Sequence, residues 1–527
     1  MKRYILLSAV VLTVMSAMAQ ETYENAKIAT EDLNGTARYV GMGGAMDALG
    51  ADISVIGTNP AGIGLFRKSS ISASMGFVSQ SDAKPFGGGH KTNVSFDQMG
   101  FVWANQINET DFVNFAFNYH KSRNFNHILS VADRLGGASI TKLSRGKLLN
   151  GLLYPELRDG NDNFIGWDTD NPYVQCNQID DILTYRLNGE DAYSGSNYFF
   201  DRSTSGYVSE YDFNLSGNVN NTFYWGITVG IHDVHYSHYS VYDEQLQGDG
   251  INVPADYAVG VEDDRIITGS GADIKLGVIF RPIEESPLRF GVSVATPTWY
   301  ELTTRNNTVV GDYDGTLSNG KAFSGQAYTT GADYDYKFKL FTPWKFGLSV
   351  GHTIGTQLAL GACYEFADYT TLDSRYITSG DNYDTSSESD QVMNRHTAST
   401  LKGVSTIKLG GEFRPDPALA IRLGYNYVSP MYDKDGTKDG TLDSDGVTIA
   451  SATDFVNWDA THRITCGMGY QTGDWNLSVA YQYTTQNGKF EPFESYTDVD
   501  PAYTSIPNRF EVSNKHHQLL FTATYSF

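Results

Sequence analysis

Eleven histidines, three cysteines and 61 acidic residues bound the chemistry open to this 527-residue chain. The densest cluster is "GIHDVHYSHYSVYDE", which brings His232, His235 and His238 together. On a strand, where successive side chains point to opposite faces, His232 and His238 share one face and His235 takes the other. His232 and His238 then lie about 20 Å apart, too far to share a metal or a haem iron. A second candidate, "YDKDGTKDGTLDSDG" from Tyr432 to Gly446, sets Asp433, Asp435, Asp439, Asp443 and Asp445 among glycines. That composition suits Ca²⁺, but it misses the spacing and closing Glu of an EF-hand and reads as a solvated acidic loop. In "GMGGAMDALG", Met46 stands where a dinucleotide fingerprint needs its third glycine. Cys176, Cys363 and Cys466 have no metal-ligand spacing and read as structural. There is no zinc-protease motif and no nucleophile paired with a base at readable spacing. The expectation is a protein that is not an enzyme and carries no cofactor or metal.

What remains is architecture. The chain opens "MKRYILLSAVVLTVMSAMAQ", two basic residues, a short apolar run and an A-x-A element before Gln20. This reads as a secretory signal over residues 1–19. No later apolar run reaches the length of a spanning helix, so any membrane crossing is made by strands. The 34 Tyr, 28 Phe and 53 Gly with only 15 Pro suit many strands and tight turns. A mean hydropathy of -0.33 is compatible with a membrane barrel, whose lumen-facing residues are polar. The formal charge of -23 excludes a nucleic-acid surface.

From Ile71 onward the dominant signal is period two, the pattern of a strand with two unlike faces. In "NLSVAYQY" one face is Leu477, Val479, Tyr481 and Tyr483, the other Asn476, Ser478, Ala480 and Gln482. Short connections alternate with long ones drawn at about 121–205, 243–270, 302–330, 372–404, 431–461 and 487–514. That is the rhythm of an outer-membrane barrel with short periplasmic turns and long outer loops. Joining "DYKFKLFTPWKFGLSVG" into one strand with a bulge or kink at Pro343 gives about fourteen strands, an even number. The fold class is all-β, a transmembrane antiparallel β-barrel over residues 70–527. The last strand ends on Phe527, with Tyr525, Ala523, Phe521 and Leu519 on its lipid side, and looks like the assembly signal read by barrel-assembly machinery. Parity also turns Lys275, Arg289, Glu365, Lys408, Glu412 and Arg422 toward the lumen, as hatch anchors, a carboxylate-attracting field or a mutually paired network.

A barrel this wide is open or needs a plug. Residues 20–69 lack alternation and precede the first strand, so they read as an N-terminal hatch in the lumen. Within them "NPAG", Asn59 to Gly62, follows the Gly/Ala-rich "GTARYVGMGGAMDAL". Pro60 fixes its own backbone and restricts Asn59, while Ala61 and Gly62 permit close packing. With these elements, and with strand pairs such as "IKLGGEFRPDPALAIRLGYNYVSP", the chain resembles the FadL/TodX family of outer-membrane transporters for long-chain fatty acids and aromatic hydrocarbons. The resemblance covers the plug and most of the barrel but not the long loops. It implies a fourteen-stranded barrel in the outer membrane of a Gram-negative bacterium, with Asn59, Pro60, Ala61 and Gly62 in the hatch. It also implies passive transport of a hydrophobic small molecule by loop capture, hatch movement and lateral release into outer-membrane lipid. The Tyr-, Phe- and Leu-rich loop from about Lys121 to Ser205, with "KLLNGLLYPEL", is the expected entry surface. Two other readings stand beside it: a surface receptor for haem or a host ligand, and a polar-solute porin. The third strand, "FVNFAFNYH", has no Gly or Pro to mark a kink, so the sequence leaves the lateral exit unplaced.

Overall fold

The computed structural model describes residues 21–81, 83–173, 175–186, 193–248, 250–329, 334–378, 386–444, 446–447 and 452–527. The signal sequence read over residues 1–19 lies outside the described residues. Fourteen strands form the wall: β1 (Ser70–Gln80), β2 (Thr92–Gln106), β3 (Phe112–Asn124), β4 (Gly195–Val219), β5 (Phe223–Leu246), β6 (Ala258–Phe280), β7 (Arg289–Ala295, resuming as Trp299–Asp312), β8 (Tyr334–Phe341, resuming as Lys345–Ile354), β9 (Leu358–Asp368), β10 (Gly403–Asp416), β11 (Leu419–Val428), β12 (Phe455–Thr472), β13 (Trp475–Glu491) and β14 (Phe510–Ser526). Each pairs antiparallel with the next, and β1 pairs with β14 from Ser70↔Ser526 to Gln80↔His516, which closes the cylinder. Both ends of the wall therefore lie on the side of the short turns.

The alternation has the expected consequence. On β11, Arg422 is 1% exposed and its neighbour Leu423 67%; on β12, Thr465 is buried and Ile464 exposed. Leu215, Ile227, Leu276, Val292, Leu348, Leu409 and Phe521 continue the outward apolar band around the wall. Such a band on a closed sheet pairs the backbone from strand to strand and faces apolar side chains outward, which is what a hydrocarbon layer demands. The protein is a transmembrane barrel of the outer-membrane type. No helix among the described residues is long and apolar enough to cross a membrane.

The strands overrun the loops drawn from the sequence. β3 reaches Asn124, β4 begins at Gly195, β5 ends at Leu246, β6 begins at Ala258, β7 ends at Asp312, β12 begins at Phe455, and β13 and β14 reach Glu491 and Phe510. Above the bilayer a strand no longer needs an apolar outer face, so its residues turn polar while its ladder continues. The joined eighth strand is interrupted rather than bulged, at Thr342–Trp344. β7 breaks beside it at Thr296–Thr298, with Thr342 N donating to Thr298 O at 3.2 Å. A proline in each break, Pro297 and Pro343, cannot donate to a ladder.

Residues 22–65 fill the lumen as short helical pieces, each started by a side-chain cap. Helix α1 (Thr22–Ile28) is capped by Glu21 and α2 (Ala37–Gly41) by Thr36. Asp52 caps the 3₁₀ turn Ile53–Gly57. Asn59 caps the next, Pro60–Leu65, its Oδ1 accepting from Ala61 N at 3.2 Å with Pro60 in the first turn. Pro is well placed there because its missing N–H would have no helical partner in any case.

Candidate functional site

The lower hatch rests on glycine. Nine consecutive strands, β4 to β12, each put a glycine against it: Gly217, Gly226, Gly277, Gly291, Gly351, Gly361, Gly410, Gly424 and Gly467. A Cβ at Gly410 would strike the carbonyl of Met42, and one at Gly424 the backbone of Met42 and Gly43. Asn59 sits over Gly277 and Gly291, Pro60 and Ala61 over Gly226. Asn59, Pro60, Ala61 and Gly62 are all buried, with the Asn59 amide side chain laid on Gly277 and Gly291 and the backbone of Pro60 and Ala61 on Gly226. Sequence reading gave the hatch half of this contact. The wall half was hidden, because single glycines at inward positions of strands are common and only closure puts nine of them on one level.

Of the six charges expected in the lumen, Lys275, Lys408, Glu412 and Arg422 are buried. Arg289 Nη1 donates to Leu49 O of the hatch at 3.1 Å. Glu412 accepts from Arg38 Nε of α2 at 3.0 Å and from Arg422 Nε at 2.7 Å. Lys408 lies 3.6 Å from Glu365, with its stem against hatch Gly44. Lys275 belongs to a separate cluster on β4–β6 with Glu210, Asp212 and Asp273. The structure therefore brings Arg289, Glu412 and Lys408 to the hatch and pairs Arg422 and Glu365 through them.

One part of the wall lacks its ladder. β2 and β3 pair from Gln106↔Phe112 up to Gln98↔His120. Above that, Thr92–Phe96 pair with β1, and β3 pairs with β4 after a register shift between Lys121 and Arg123. Among the described residues no ladder pairing joins these two edges. Side chains and the hatch bridge them instead. Asp32 N donates to Ser122 O at 2.8 Å. Asn34 Nδ2 donates to Lys121 O and to Asp97 Oδ1, both at 3.0 Å. Lys121 Nζ reaches Ser95 Oγ at 2.8 Å. Higher up, β3 is prolonged by His127–Arg134, and the Gln80 amide exchanges two bonds with the Ile128 backbone, 2.7 and 2.8 Å, like a single rung of ladder. Sequence reading missed this gap because it looked for Gly or Pro in β3, whereas the device is a bulge at Ser122 in an otherwise regular strand.

Behind the gap lies the lumen cavity, about 330 Å³, between α1 and the seated block. Leu33, Tyr39, Val78, Phe125, Tyr236 and Trp458 line it together with Asp32, Asp97, Lys121 and Arg463. Burial alone would raise the Asp32 carboxyl, but Arg123 and Arg463 outweigh it and hold the group below its ordinary value.

Toward the outer rim a second cavity of about 70 Å³ has an apolar lining of Ile140, Leu143, Ile179, Met393, Leu442, Val447 and Phe493. Helix α3 (Ile140–Leu149) forms one side, and Glu21 and Thr22 at the start of α1 form its floor. "KLLNGLLYPEL" divides: Leu148, Leu153 and Tyr154 pack with Cys176, while Leu149 and Leu157 are exposed. Lys147, fully buried, holds Asp180 at 3.1 Å and Glu494 at 2.5 Å and so ties α3 to the loop between β13 and β14.

The three histidines fall as the period predicts. His232 and His238 are buried in the lumen and His235 is outward. His238 Nε2 meets Ser240 Oγ at 3.0 Å, and His232 Nε2 meets Asp273 Oδ2 at 3.1 Å. Among the described residues, no three acids of the 433–445 loop converge as metal ligands, and Asp445 lies outside them.

No family model matches the sequence, and no curated protein matches it. Solved structures similar to the chain include a Pseudomonas aeruginosa FadL homologue, 14% identical over 95% of this chain and 100% of that one, TM-score 0.49. The Ralstonia pickettii toluene transporter TbuX is 11% identical over 94% and 99%, TM-score 0.47. The P. putida toluene transporter TodX is 11% identical over 94% and 99%, TM-score 0.45.

Proposed function

We propose that the protein is a passive route for hydrophobic small molecules across the outer membrane, with lateral release through the wall between β2 and β3. The observation that carries this reading is the unladdered gap, stoppered from inside by Asp32 and Asn34 and opening onto the lumen cavity. Capture takes place in the apolar cavity beneath α3, whose floor is the start of the hatch. Transfer then needs the 30–35 segment to leave the gap, while the glycine-seated block carrying Asn59–Gly62 stays in place. Physical chemistry favours sideways exit, since each methylene forced into water costs about 0.8 kcal/mol and a dozen roughly 10 kcal/mol. The seated hatch speaks against a permanently open porin. The partnered His232 and His238 speak against a haem receptor. The C-terminal strand ending on Phe527, outward and exposed, suits recognition by barrel-assembly machinery.

The test is a reversible cross-link across the stopper. In a Cys466→Ser background, Asn34→Cys with Asp97→Cys puts thiols on two residues whose polar side-chain atoms lie 3.0 Å apart, to be bridged by a short bis-methanethiosulfonate. Cross-linked protein should stop uptake of a labelled alkane, fatty acid or monoaromatic in cells lacking their own transporter, and reductant should restore it. Unchanged uptake in the cross-linked form would remove the lateral route.

A further inference from the structure

Beneath the hatch edge at Gly57, four neighbouring strands put six ionisable groups on one level: His120 of β3, Glu210 and Asp212 of β4, His232 of β5, Asp273 and Lys275 of β6. Cross-strand pairing sets His120 opposite Glu210 and Glu210 opposite His232. Glu210, Asp212 and Asp273 are almost wholly buried, at 2%, 0% and 3% exposure. Three buried carboxylates face a single ammonium, Lys275, so two negative charges lack a permanent counter-charge, an expensive arrangement away from water.

The geometry shows how the shortfall is arranged. Lys275 Nζ takes one oxygen from each carboxylate: Glu210 Oε1, Asp212 Oδ1 at 3.2 Å and Asp273 Oδ1 at 3.3 Å. Their second oxygens turn to the imidazoles. Glu210 Oε2 lies 3.5 Å from His120 Nε2 and Asp212 Oδ2 lies 3.5 Å from His120 Nδ1, and Asp273 Oδ2 lies 3.1 Å from His232 Nε2. Asp212 Oδ2 is buried with no hydrogen bond. His120, Glu210 and Asp212 each offer one ligand atom within 4.8 Å of the others, and a second triad of His232, Asp273 and the same Glu210 does likewise. His120 and Glu210 also line the lumen cavity, so an ion has a path in.

We propose that His120, Glu210 and Asp212 bind a divalent transition-metal ion of the Zn²⁺ or Co²⁺ class. Lys275 fixes the far oxygens of the two carboxylates, and the His232–Asp273 pair supports Glu210 from the other side. One imidazole with two carboxylates suits these borderline ions. Histidine counting along the chain looked within β5 for partners of His232, whereas the ligands converge from β3 and β4 through cross-strand register.

The test uses the full chain, purified in detergent and stripped with a chelator, titrated with Zn²⁺ by calorimetry and with Co²⁺ by visible absorption. The unaltered protein should bind one ion and give a Co²⁺ d–d band. His120→Gln and Asp212→Asn should each weaken Zn²⁺ at least tenfold and remove that band. His235→Gln, which changes an outward histidine, should leave both intact. X-ray absorption on the Zn²⁺-loaded unaltered protein should count one imidazole among oxygen donors, a readout that does not depend on the variants folding. Absence of stoichiometric binding, binding indifferent to Asp212→Asn, or loss only in His235→Gln would overturn the assignment.

Discussion

The hatch is held in two ways that differ in kind. Along β4 to β12 it lies directly on wall glycines, mostly backbone against backbone and at Gly277 and Gly291 through the Asn59 amide, a contact made of many short-range atom pairs that vanish together on a small shift. At the β2–β3 gap it is held by a few polar bonds from Asp32 and Asn34 to strand edges. Each of these can be exchanged for water at a net loss of about 1 kcal/mol. A plug seated by close packing and latched by exchangeable bonds can free one edge without losing its seat. That difference is what the proposed lateral route requires, since on that reading the barrel stays closed to ions while a window opens to lipid.

The comparison breaks most sharply at the seat. Gly410→Leu puts a side chain where the Met42 carbonyl lies and cannot be relieved by rotating a flexible neighbour. Overpacking of this kind typically costs 1–3 kcal/mol, and here it lifts the block off its neighbours as well. The expected result is a leaky barrel, with single-channel conductance appearing in planar bilayers where the unaltered protein shows none. A closed bore with normal uptake in Gly410→Leu would show that the seat is not what keeps the lumen shut.

Next in size is the ion pair that pins α2. Glu412 is buried between Arg38 and Arg422, and breaking such a pair from one side costs about 3–5 kcal/mol locally. Glu412→Gln should expose the hatch to limited proteolysis while β-barrel heat-modifiability on gels persists. Because Arg289 and the glycines still hold the block, the conductance change should be smaller than for Gly410→Leu.

How far these two regions were legible from the chain follows from what each is made of. Fourteen strands and their facing were readable because a bilayer enforces period two residue by residue, as at Arg422 and Leu423. The hatch was readable because residues such as Gly41–Gly44 and Asn59–Gly62 break that period. The glycine ring was not, since Gly217 and Gly467 become neighbours of one plug only through closure of the sheet. The gap was not, since Ser122 bulges without any residue type that favours bulging. The strand ends were misplaced for a related reason: outside the membrane the outer face of β6 from Ala258 to Gly269 carries Glu262 and Asp264, and polarity there resembles a loop.

Two further variants sharpen the latch side. Asn34→Ala removes two bonds to the unpaired edges, and Gln80→Leu removes the rung to Ile128. At about 1 kcal/mol per bond, each raises the open population by roughly 5- to 30-fold, and uptake should rise wherever opening limits the rate. Conductance to ions should stay at the unaltered level in both. A parallel rise in ion conductance would mean the latch and the seat are one device.

The smallest effect comes from acid, and it moves the two regions in opposite directions. Asp32 in the latch has its carboxyl held below the ordinary value of 3.8: burial pushes it up, but Arg123 and Arg463 prevail. A depressed carboxyl contributes stability that is present above the ordinary value and lost as pH falls through the depressed one. The latch should thus be unchanged from neutral pH to about 4 and loosen only below that. Asp47 in the seated block is the reverse case, raised above 3.8 because burial outweighs Lys408 and its bond to Thr58. Its ionisation costs folded-state stability at neutral pH, and that cost is relieved as pH falls through its raised value. Mild acid should therefore tighten the seat before stronger acid opens the latch. Protease resistance of the hatch should rise first and uptake only afterwards, with Asp47→Asn abolishing the first phase and Asp32→Asn the second.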